Sequence, residues 1–539
     1  MRLQRPLSFL LAAALAVSLA ACSSTTASSS SVASGTVINA ESTEYSLEGA
    51  TAFTFTDDGI TAVDGDYDGY KIEGTTLTIN AAGTYVVSGS CADGSIKIKA
   101  ETEGVVLVLN DLTLTSTTTA PIVCGKSTEV TLVAQDGTEN TLTDTEANNK
   151  DSDNASEDAE NAVLKCKDGS QVILCGTGTL NINAVGKNGI KSGTENDGRE
   201  ASLTIRELTL NIDAPVNDAI NAEQMLNVES GTLNISAGDD AVHCDYTLNI
   251  GAEGTAGPTI NISACYEGLE GAALNIYSGD INITASDDCL NAANGDLTDY
   301  DFSMNIYGGT INAYTSEGDG FDSNGTMTIT GGNIAVWSAN TADNQPLDAD
   351  GTITITGGTV LAAGGSAGMG YTIDAEQAYV TYGGGMGTDS TVSLSKDSTF
   401  TITDADGNAI TSGTAVCNAN FIFYSSSDLA ADSEYTLNSS DTALATTTAA
   451  TGTATTSFGP GMGGGPNGAM GGMTPPDGSD GQTPPTMDGN GTPPSGQPGQ
   501  APNGQNGGTP PEKPSGDTTG TPPQLPNNNA ASQADTTAV

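Results

Sequence analysis

Three short segments of alternating apolar and polar residues recur in a fixed order, and this repeat constrains the fold more than any other feature of the chain. Successive copies of each segment are about 21 to 31 residues apart. The first segment reads like "LNI" and starts at Leu203, Leu226, Leu248, Leu274, Met304, Met327 and Ile353. The second starts at Leu210, Leu233, Ile260, Ile281, Ile311, Ile334 and Val360. The third is centred on Ile190, Ile220, Val242, Leu269, Leu290, Phe321 and Leu347.

Alternation of this kind indicates strands with one buried face. A repeat of three strands with no helical segment predicts an all-β parallel solenoid with three strands per coil. A single coil cannot bury its own apolar face, so coils must stack, and each residue then pairs with its equivalent about 4.8 Å away. Leu, Ile and Val form the inner columns, and Asn forms ladders on the outside.

The two ends of the chain differ from this repeat. Residues 1–21 read as a bacterial lipoprotein signal peptide, because an apolar stretch leads into "LAAC" with Cys22 at the position for lipidation. A plain secretory signal followed by a chance Cys is the alternative. We further predict a Ser/Thr linker over 22–45, the capped solenoid over 46–445 and a disordered Gly/Pro/Asn/Gln-rich tail over 446–539.

The charge balance narrows the possible partners. The chain has 66 Asp and Glu against 15 Lys and Arg, a formal net charge of −51. This excess argues against nucleic-acid binding and against electrostatic docking on anionic membranes, which leaves a lipid anchor as the membrane contact. We therefore expect an extracellular protein attached to the bacterial membrane. The eight cysteines after Cys22 include no CxxC pair, and we expect most of them to be small buried residues rather than disulfides.

Acidic residues recur at fixed offsets from the centre of the third strand, so stacking should align them in columns. At about 4.8 Å and an effective dielectric near 20, two carboxylates repel by about 3 kcal/mol, and a divalent cation would offset this. Carboxylate and amide oxygens are the ligands that Ca²⁺ prefers. Turn capping by Asp and Asn is the alternative. The candidate ligands are Asp218, Glu223, Asp239, Asp240, Asp245, Glu267, Asp288, Asp319, Asp322 and Asp348.

Aromatic residues also recur in register. We expect Tyr277 to stack over Tyr307, and Tyr314 to lie next to Trp337, with their rings on the outside as platforms for sugars. The alternative is that these rings only cover the sheet surface. His243 is the only histidine, and without a partner histidine or Cys pair we interpret it as structural.

Several stretches resemble the carbohydrate-binding parallel β-helix family known from a cellulose-degrading clostridium, whose fold is related to pectate lyases. They include "INAAGTYVVSGSCADGSIKIKA" (79–100), "GVVLVLNDLTLTSTTTAPI" (104–122) and "FIFYSSSDLAADSEYTL" (421–437). The resemblance covers about residues 70–440. It implies a right-handed β-helix with bound calcium that binds cellulose and acidic pectic sugars, without established lyase activity. The columns above would match the family's calcium sites, except that Glu267 replaces the usual Asp and Gln345 replaces a carboxylate.

The main functional hypothesis is therefore a non-catalytic lipoprotein that binds extracellular polysaccharide with the help of calcium. Because an anionic protein repels a polyuronate, we expect its affinity for such a glycan to vanish with a chelator. One alternative is a calcium-dependent lyase of the pectate-lyase type, in which Lys165, Lys187 or Lys191 acts as the base. The other alternative is a surface adhesin or scaffold that binds no glycan.

Overall fold

The computed structural model describes residues 45–455 except 64–67, 299, 340, 342–343, 369, 371, 385–391 and 441. The predicted signal peptide, Cys22 and nearly all of the predicted linker lie outside the described residues, as do residues 456–539. Within the described part the only helix is a 3-10 turn, Glu146–Asn148, in the acidic insertion between two strands.

The N-terminal half of the described chain is built from short strands. They are β1 Thr51–Thr56, β2 Gly59–Val63, β3 Tyr70–Glu73, β4 Thr76–Ile79, β5 Gly83–Cys91, β6 Ser95–Ile98, β7 Val105–Thr115, β8 Ile122–Cys124, β9 Glu129–Ala134, β10 Glu139–Thr143, β11 Ala162–Cys166, β12 Gln171–Cys175, β13 Thr179–Asn183, β14 Asn188–Ser192, β15 Ser202–Ile205, β16 Thr209–Ala214, β17 Ile220–Ala222, β18 Met225–Val228 and β19 Thr232–Ala237.

The pattern continues in the second half. These strands are β20 Val242–Ile250, β21 Thr259–Ala264, β22 Leu269–Ile276, β23 Asp280–Ala285, β24 Leu290–Ala292, β25 Ser303–Ile306, β26 Thr310–Thr315, β27 Phe321–Ser323, β28 Thr326–Ile329, β29 Asn333–Ser338, β30 Ile353–Ile355, β31 Thr359–Gly364, β32 Thr372–Gly383, β33 Thr399–Thr403, β34 Ala409–Thr414, β35 Phe421–Ser425, β36 Glu434–Ser439, β37 Thr442–Thr448 and β38 Ala450–Thr455.

Most strands from β4 to β32 pair in parallel with the next member of their own series, which makes the chain all-β with a large, parallel-rich sheet of the solenoid type. Sheet A contains β9, β12, β15, β18, the second half of β20, the second half of β22, β25, β28 and β30. Sheet B contains β10, β13, β16, β19, β21, β23, β26, β29 and β31. Sheet C contains β4, β6, β8, β11, β14, β17, the first halves of β20 and β22, β24 and β27.

The register confirms the repeat that the sequence predicts. On sheet C, Ile190, Ile220, Val242, Leu269, Leu290 and Phe321 are successive partners, and an isolated bridge extends the series to Leu347. The turns from sheet A to sheet B carry glycines with positive φ, such as Gly309 (90°) and Gly332 (94°), a backbone conformation that other residues rarely adopt. These turns keep successive coils in phase.

The interior of the solenoid is one continuous apolar cluster. Leu, Ile and Val columns from the three sheets meet there, nearly all of them fully buried. Truncation of such a side chain to Ala typically costs about 2–5 kcal/mol. The eight cysteines from Cys91 to Cys417 are buried and free, as the sequence predicts.

Beyond the parallel coils, β33, β34, β36 and β37 form an antiparallel sheet with its own apolar cluster against sheet B. The predicted start of the tail at residue 446 is wrong, because β37 and β38 extend through it. β37 pairs with β36 and β38 pairs with β32, so backbone hydrogen bonds order this Ala/Thr-rich segment although it contributes little to the core.

Candidate metal centre and aromatic surface

The fold places the acidic residues in two neighbouring columns at the start of sheet C. The first lies two residues before each buried centre, in the turn that leaves sheet B, and contains Asp218, Asp240, Glu267, Asp288, Asp319 and Gln345. The second is the outward column of sheet C itself. Since the register is continuous, neighbouring members of a column are about 4.8 Å apart, as the sequence predicts.

Three carboxylates converge at the C-terminal end of these columns. Asp319, Asp322 and Asp348 each offer an oxygen, and these oxygens lie within 4.8 Å of one another. Asp288 joins the same group, because its Oδ1 accepts the backbone N–H of Asp319 at 2.6 Å. We call Asp288, Asp319, Asp322 and Asp348 the aspartate cluster.

Among the described residues, no cationic side chain pairs with the aspartate cluster. The sequence contains no Lys or Arg between residues 207 and 395, and its only histidine belongs to another group of carboxylates. Burial, together with repulsion from the neighbouring carboxylates, raises the pKa of Asp288 to about 9, of Asp319 to about 8 and of Asp322 to about 6. The cluster therefore resists carrying its full negative charge unless a cation binds.

The donors fit a hard divalent cation. All four side chains offer carboxylate oxygens, and Asn291 adds an amide oxygen one step before Asp322 in the outward column. Asn291 is buried, and its Oδ1 accepts no hydrogen bond from any described residue. Its Nδ2 donates to Glu267 Oε2 at 2.9 Å in the preceding coil, so Oδ1 faces toward the coil of Asp322. Such a set of oxygens suits Ca²⁺.

Gln345, which departs from the family pattern, takes part in the same group. Its backbone N–H donates to Asp319 Oδ1, and its side-chain amide hydrogen-bonds to Asp348. Gln345 therefore holds two of the four carboxylates in place, one through its backbone and one through its side chain, where a fifth carboxylate would add repulsion.

A second group of carboxylates, three coils toward the N-terminus, surrounds His243. Nδ1 of the imidazole faces Glu270 at very short range and Asp240 at 3.4 Å, while Nε2 lies 3.0 Å from Asp245. Burial lowers the pKa of His243, but hydrogen bonds to the three carboxylates outweigh this and raise it far above the usual range. We call these four residues the histidine cluster.

The structure thus separates the candidate ligands that lie toward the N-terminus, which are Asp218, Glu223, Asp239, Asp240, Asp245 and Glu267. Asp240 and Asp245 pair with His243, and Glu223 pairs with Lys191 at 2.8 Å. Asp218 accepts a hydrogen bond from Asn221 Nδ2 at 2.7 Å, and burial raises its pKa to about 6. Asp239 is exposed, and Glu267 is partly buried with its pKa raised to about 8 by burial. The aspartate cluster is the better candidate for a metal, because its carboxylates pair with no cationic side chain in the described part of the chain.

One aromatic pair is stacked as the sequence predicts. Tyr277 and Tyr307 stack with ring centroids 4.9 Å apart and planes within 10° of parallel, and Tyr307 is 45% exposed. They lie in the turns from sheet A to sheet B. The pair presents a flat apolar surface to solvent.

The prediction that the ring of Trp337 lies on the outside is wrong. It is the register partner of Tyr314, as expected, but its side chain is fully buried. The antiparallel sheet of β33, β34, β36 and β37 covers this part of sheet B, and Phe400 packs edge-on against the indole with centroids 6.1 Å apart. Tyr314 packs partly buried against the same cluster. The periodicity of the repeat could not predict this covering sheet, because the sheet is formed by a later part of the chain.

A model of the carbohydrate-binding domain-containing proteins matches residues 73–368, more than half of the 539 residues. The chain belongs to this carbohydrate-binding domain family. The match covers both columns, both clusters and the Tyr277–Tyr307 pair, so the candidate sites lie inside the family domain. The antiparallel sheet that buries Trp337 lies outside the matched span.

Two known proteins are similar to this chain. A carbohydrate-binding domain-containing protein of Acetivibrio thermocellus is 33% identical over 131 residues, which is 24% of this chain and 44% of that protein. The chain therefore matches less than half the length of this relative. Among solved structures, a gadolinium derivative of the polysaccharide lyase-like protein from C. thermocellum is 22% identical, with a TM-score of 0.30 over 60% of this chain and 93% of that one.

The three lysines suggested as lyase bases have different surroundings in this family member. Lys187 pairs with Asp151 at 2.5 Å and Lys191 with Glu223 at 2.8 Å. Lys165 stacks on Lys191, and burial and then the charge of Lys191 lower the pKa of Lys165. A lowered pKa is the shift that a lysine needs to act as a general base at neutral pH.

No helix within the described residues is long and apolar enough to cross a membrane.

Proposed function

We propose that the chain binds polysaccharide outside the cell, cellulose or an acidic pectic glycan, through a calcium-loaded corner of a right-handed, three-stranded solenoid, without cleaving it. The observation that carries this proposal is the convergence of Asp319, Asp322 and Asp348 inside a carbohydrate-binding family domain. Right-handed winding follows the rule for crossovers between parallel strands. In this proposal the lipid on Cys22 anchors the protein to the bacterial membrane.

The chain's own residues have two roles in binding. The aspartate cluster holds the ion, and the stacked rings of Tyr277 and Tyr307 offer an apolar surface to a sugar face. Calcium, when bound, supplies positive charge and coordination positions that sugar hydroxyl or carboxylate oxygens can fill. Rigid strands support both elements, which keeps the entropic cost of binding low.

A pull-down on insoluble cellulose and on immobilised polygalacturonate, with calcium and with EDTA, tests this proposal. We expect stoichiometric calcium by metal analysis and at least about tenfold weaker glycan binding in EDTA. The Asp319→Asn/Asp322→Asn variant should lose both, whereas Asp280→Asn, an exposed carboxylate on sheet B, should lose neither. Binding to polygalacturonate that is unchanged in EDTA would refute the role of calcium.

One observation favours a second function, a polysaccharide lyase, namely the lowered pKa of Lys165. However, Lys165 is six positions before Asp322 in the outward column of sheet C, about 29 Å away at about 4.8 Å per step. A base and a cation that act on one sugar ring cannot be so far apart. Incubation with polygalacturonate and calcium should therefore give no ultraviolet-absorbing unsaturated product, and its appearance would establish the lyase.

A further inference from the structure

The outward column of sheet C changes its charge from one end of the solenoid to the other. Register pairs connect its members in the order Lys97, Val123, Lys165, Lys191, Asn221, His243, Glu270, Asn291 and Asp322. The first part is cationic, the middle part contains carboxylates whose charge Lys191 and His243 offset in part, and the last part is the aspartate cluster.

Three lysines at the first end are available to a ligand. Lys97 and Lys165 point outward, since their neighbours Ile96, Ile98 and Leu164 are buried in the core. Lys99, two residues after Lys97, is exposed. Among the described residues none of the three makes an ion pair, whereas Lys126, Lys167 and Lys187 each pair with a carboxylate. We call Lys97, Lys99 and Lys165 the lysine end.

The net charge of −51 does not reveal that one end of the column is cationic. At physiological ionic strength charges are screened beyond about 8 Å, so a ligand at the lysine end is little affected by acidic residues several coils away. The separation between Lys165 and Asp322, about 29 Å, is several times this length. The two ends therefore act on a ligand independently.

Resting on the proposed function, we propose that sheet C binds one extended anionic glycan, a polyuronate, along the solenoid axis, with carboxylates of one segment held directly by Lys97, Lys99 and Lys165. Another segment lies at the aspartate cluster, where bound calcium is needed. Between the two segments, Lys191 and His243 offset part of the negative charge of the carboxylates around them. The expectation that all affinity for a polyuronate vanishes with a chelator is then replaced by a partial loss.

Fluorescence titration of the full chain with polygalacturonate, in EDTA and in calcium, tests this inference, with fully methyl-esterified pectin as the uncharged comparison. We expect binding of polygalacturonate in EDTA that weakens from about 0.05 M to about 0.5 M NaCl and is absent for the esterified polymer. The Lys97→Gln/Lys165→Gln variant should weaken binding in EDTA by about three- to tenfold. Lys99→Glu, at an exposed position where folding is not at risk, should also weaken it, and Lys396→Gln, at an exposed position just before β33, should leave it unchanged.

The outcomes separate this inference from the proposed function. Binding in calcium but none in EDTA would overturn the role of the lysine end and leave the calcium-dependent binder intact. Binding in EDTA that the lysine variants do not weaken, or equal binding of the esterified polymer, would also overturn it. Failure to bind any polysaccharide in either condition would refute the proposed function and this inference together.

Discussion

The histidine cluster and the aspartate cluster occupy equivalent positions on the same two columns, yet they balance their charge in different ways. In the histidine cluster an imidazolium lies among Asp240, Asp245 and Glu270. In the aspartate cluster the equivalent column position is Asp322, and no cationic side chain of the chain is nearby in sequence. A column of carboxylates therefore does not by itself indicate a metal, and what matters is whether the fold already supplies a cation.

The largest effect should follow from removal of the internal cation. His243→Gln leaves three partly buried carboxylates without a counter-charge, and we expect a loss of about 3 kcal/mol in stability. Thermal unfolding in EDTA measures it. If a calcium ion can replace the imidazolium as the counter-charge, calcium should restore part of the lost stability in this variant. No restoration would mean that the histidine cluster cannot accept an ion.

At the aspartate cluster, substitution should change stability in EDTA in the opposite direction. Asp319→Asn/Asp322→Asn removes repulsion that we place at about 2 kcal/mol after screening, so in EDTA the variant should be more stable than the parent chain. In calcium the order should reverse, because the parent gains the ion and the variant does not. Melting curves in both conditions measure this crossing. A variant that is less stable in both would show that these carboxylates serve only as turn caps.

The pH dependence should also separate the clusters. Folding raises the pKa of Asp288, Asp319 and Asp322 above the usual value near 3.9, so the folded state binds more protons and stability falls as pH rises between about 4 and 9. His243 is protonated in both folded and unfolded states below about pH 6.5, so it contributes no slope there. Stability measured in EDTA should therefore fall between about pH 4.5 and 6, and calcium should abolish this fall. A flat profile in EDTA would contradict the raised pKa values.

The contrast between the clusters also shows how far sequence reasoning reaches. The three-strand repeat, the register from Ile190 to Leu347 and the stacking of Tyr277 on Tyr307 follow from periodicity, because stacked coils force equivalent residues together. Periodicity could not show that Trp337 is buried, since the antiparallel sheet of β33, β34, β36 and β37 that covers it lies outside the repeat. It also could not divide the carboxylates, because that depends on side-chain direction around His243.

The smallest effect should come from Glu270→Gln in the histidine cluster. Glu270 is one of three carboxylates around the imidazolium, and Asp240 and Asp245 remain to neutralise it. Burial raises the pKa of Glu270, so its charged form carries a desolvation cost that the amide avoids. The lost attraction and the avoided cost partly cancel, and we expect a net loss of about 0.5–1 kcal/mol in the melting experiment. Loss of one carboxylate therefore weakens the histidine cluster slightly, whereas in EDTA it strengthens the aspartate cluster. If Glu270→Gln instead stabilised the chain in EDTA, the imidazolium would not balance its neighbours, and the two clusters would both depend on calcium.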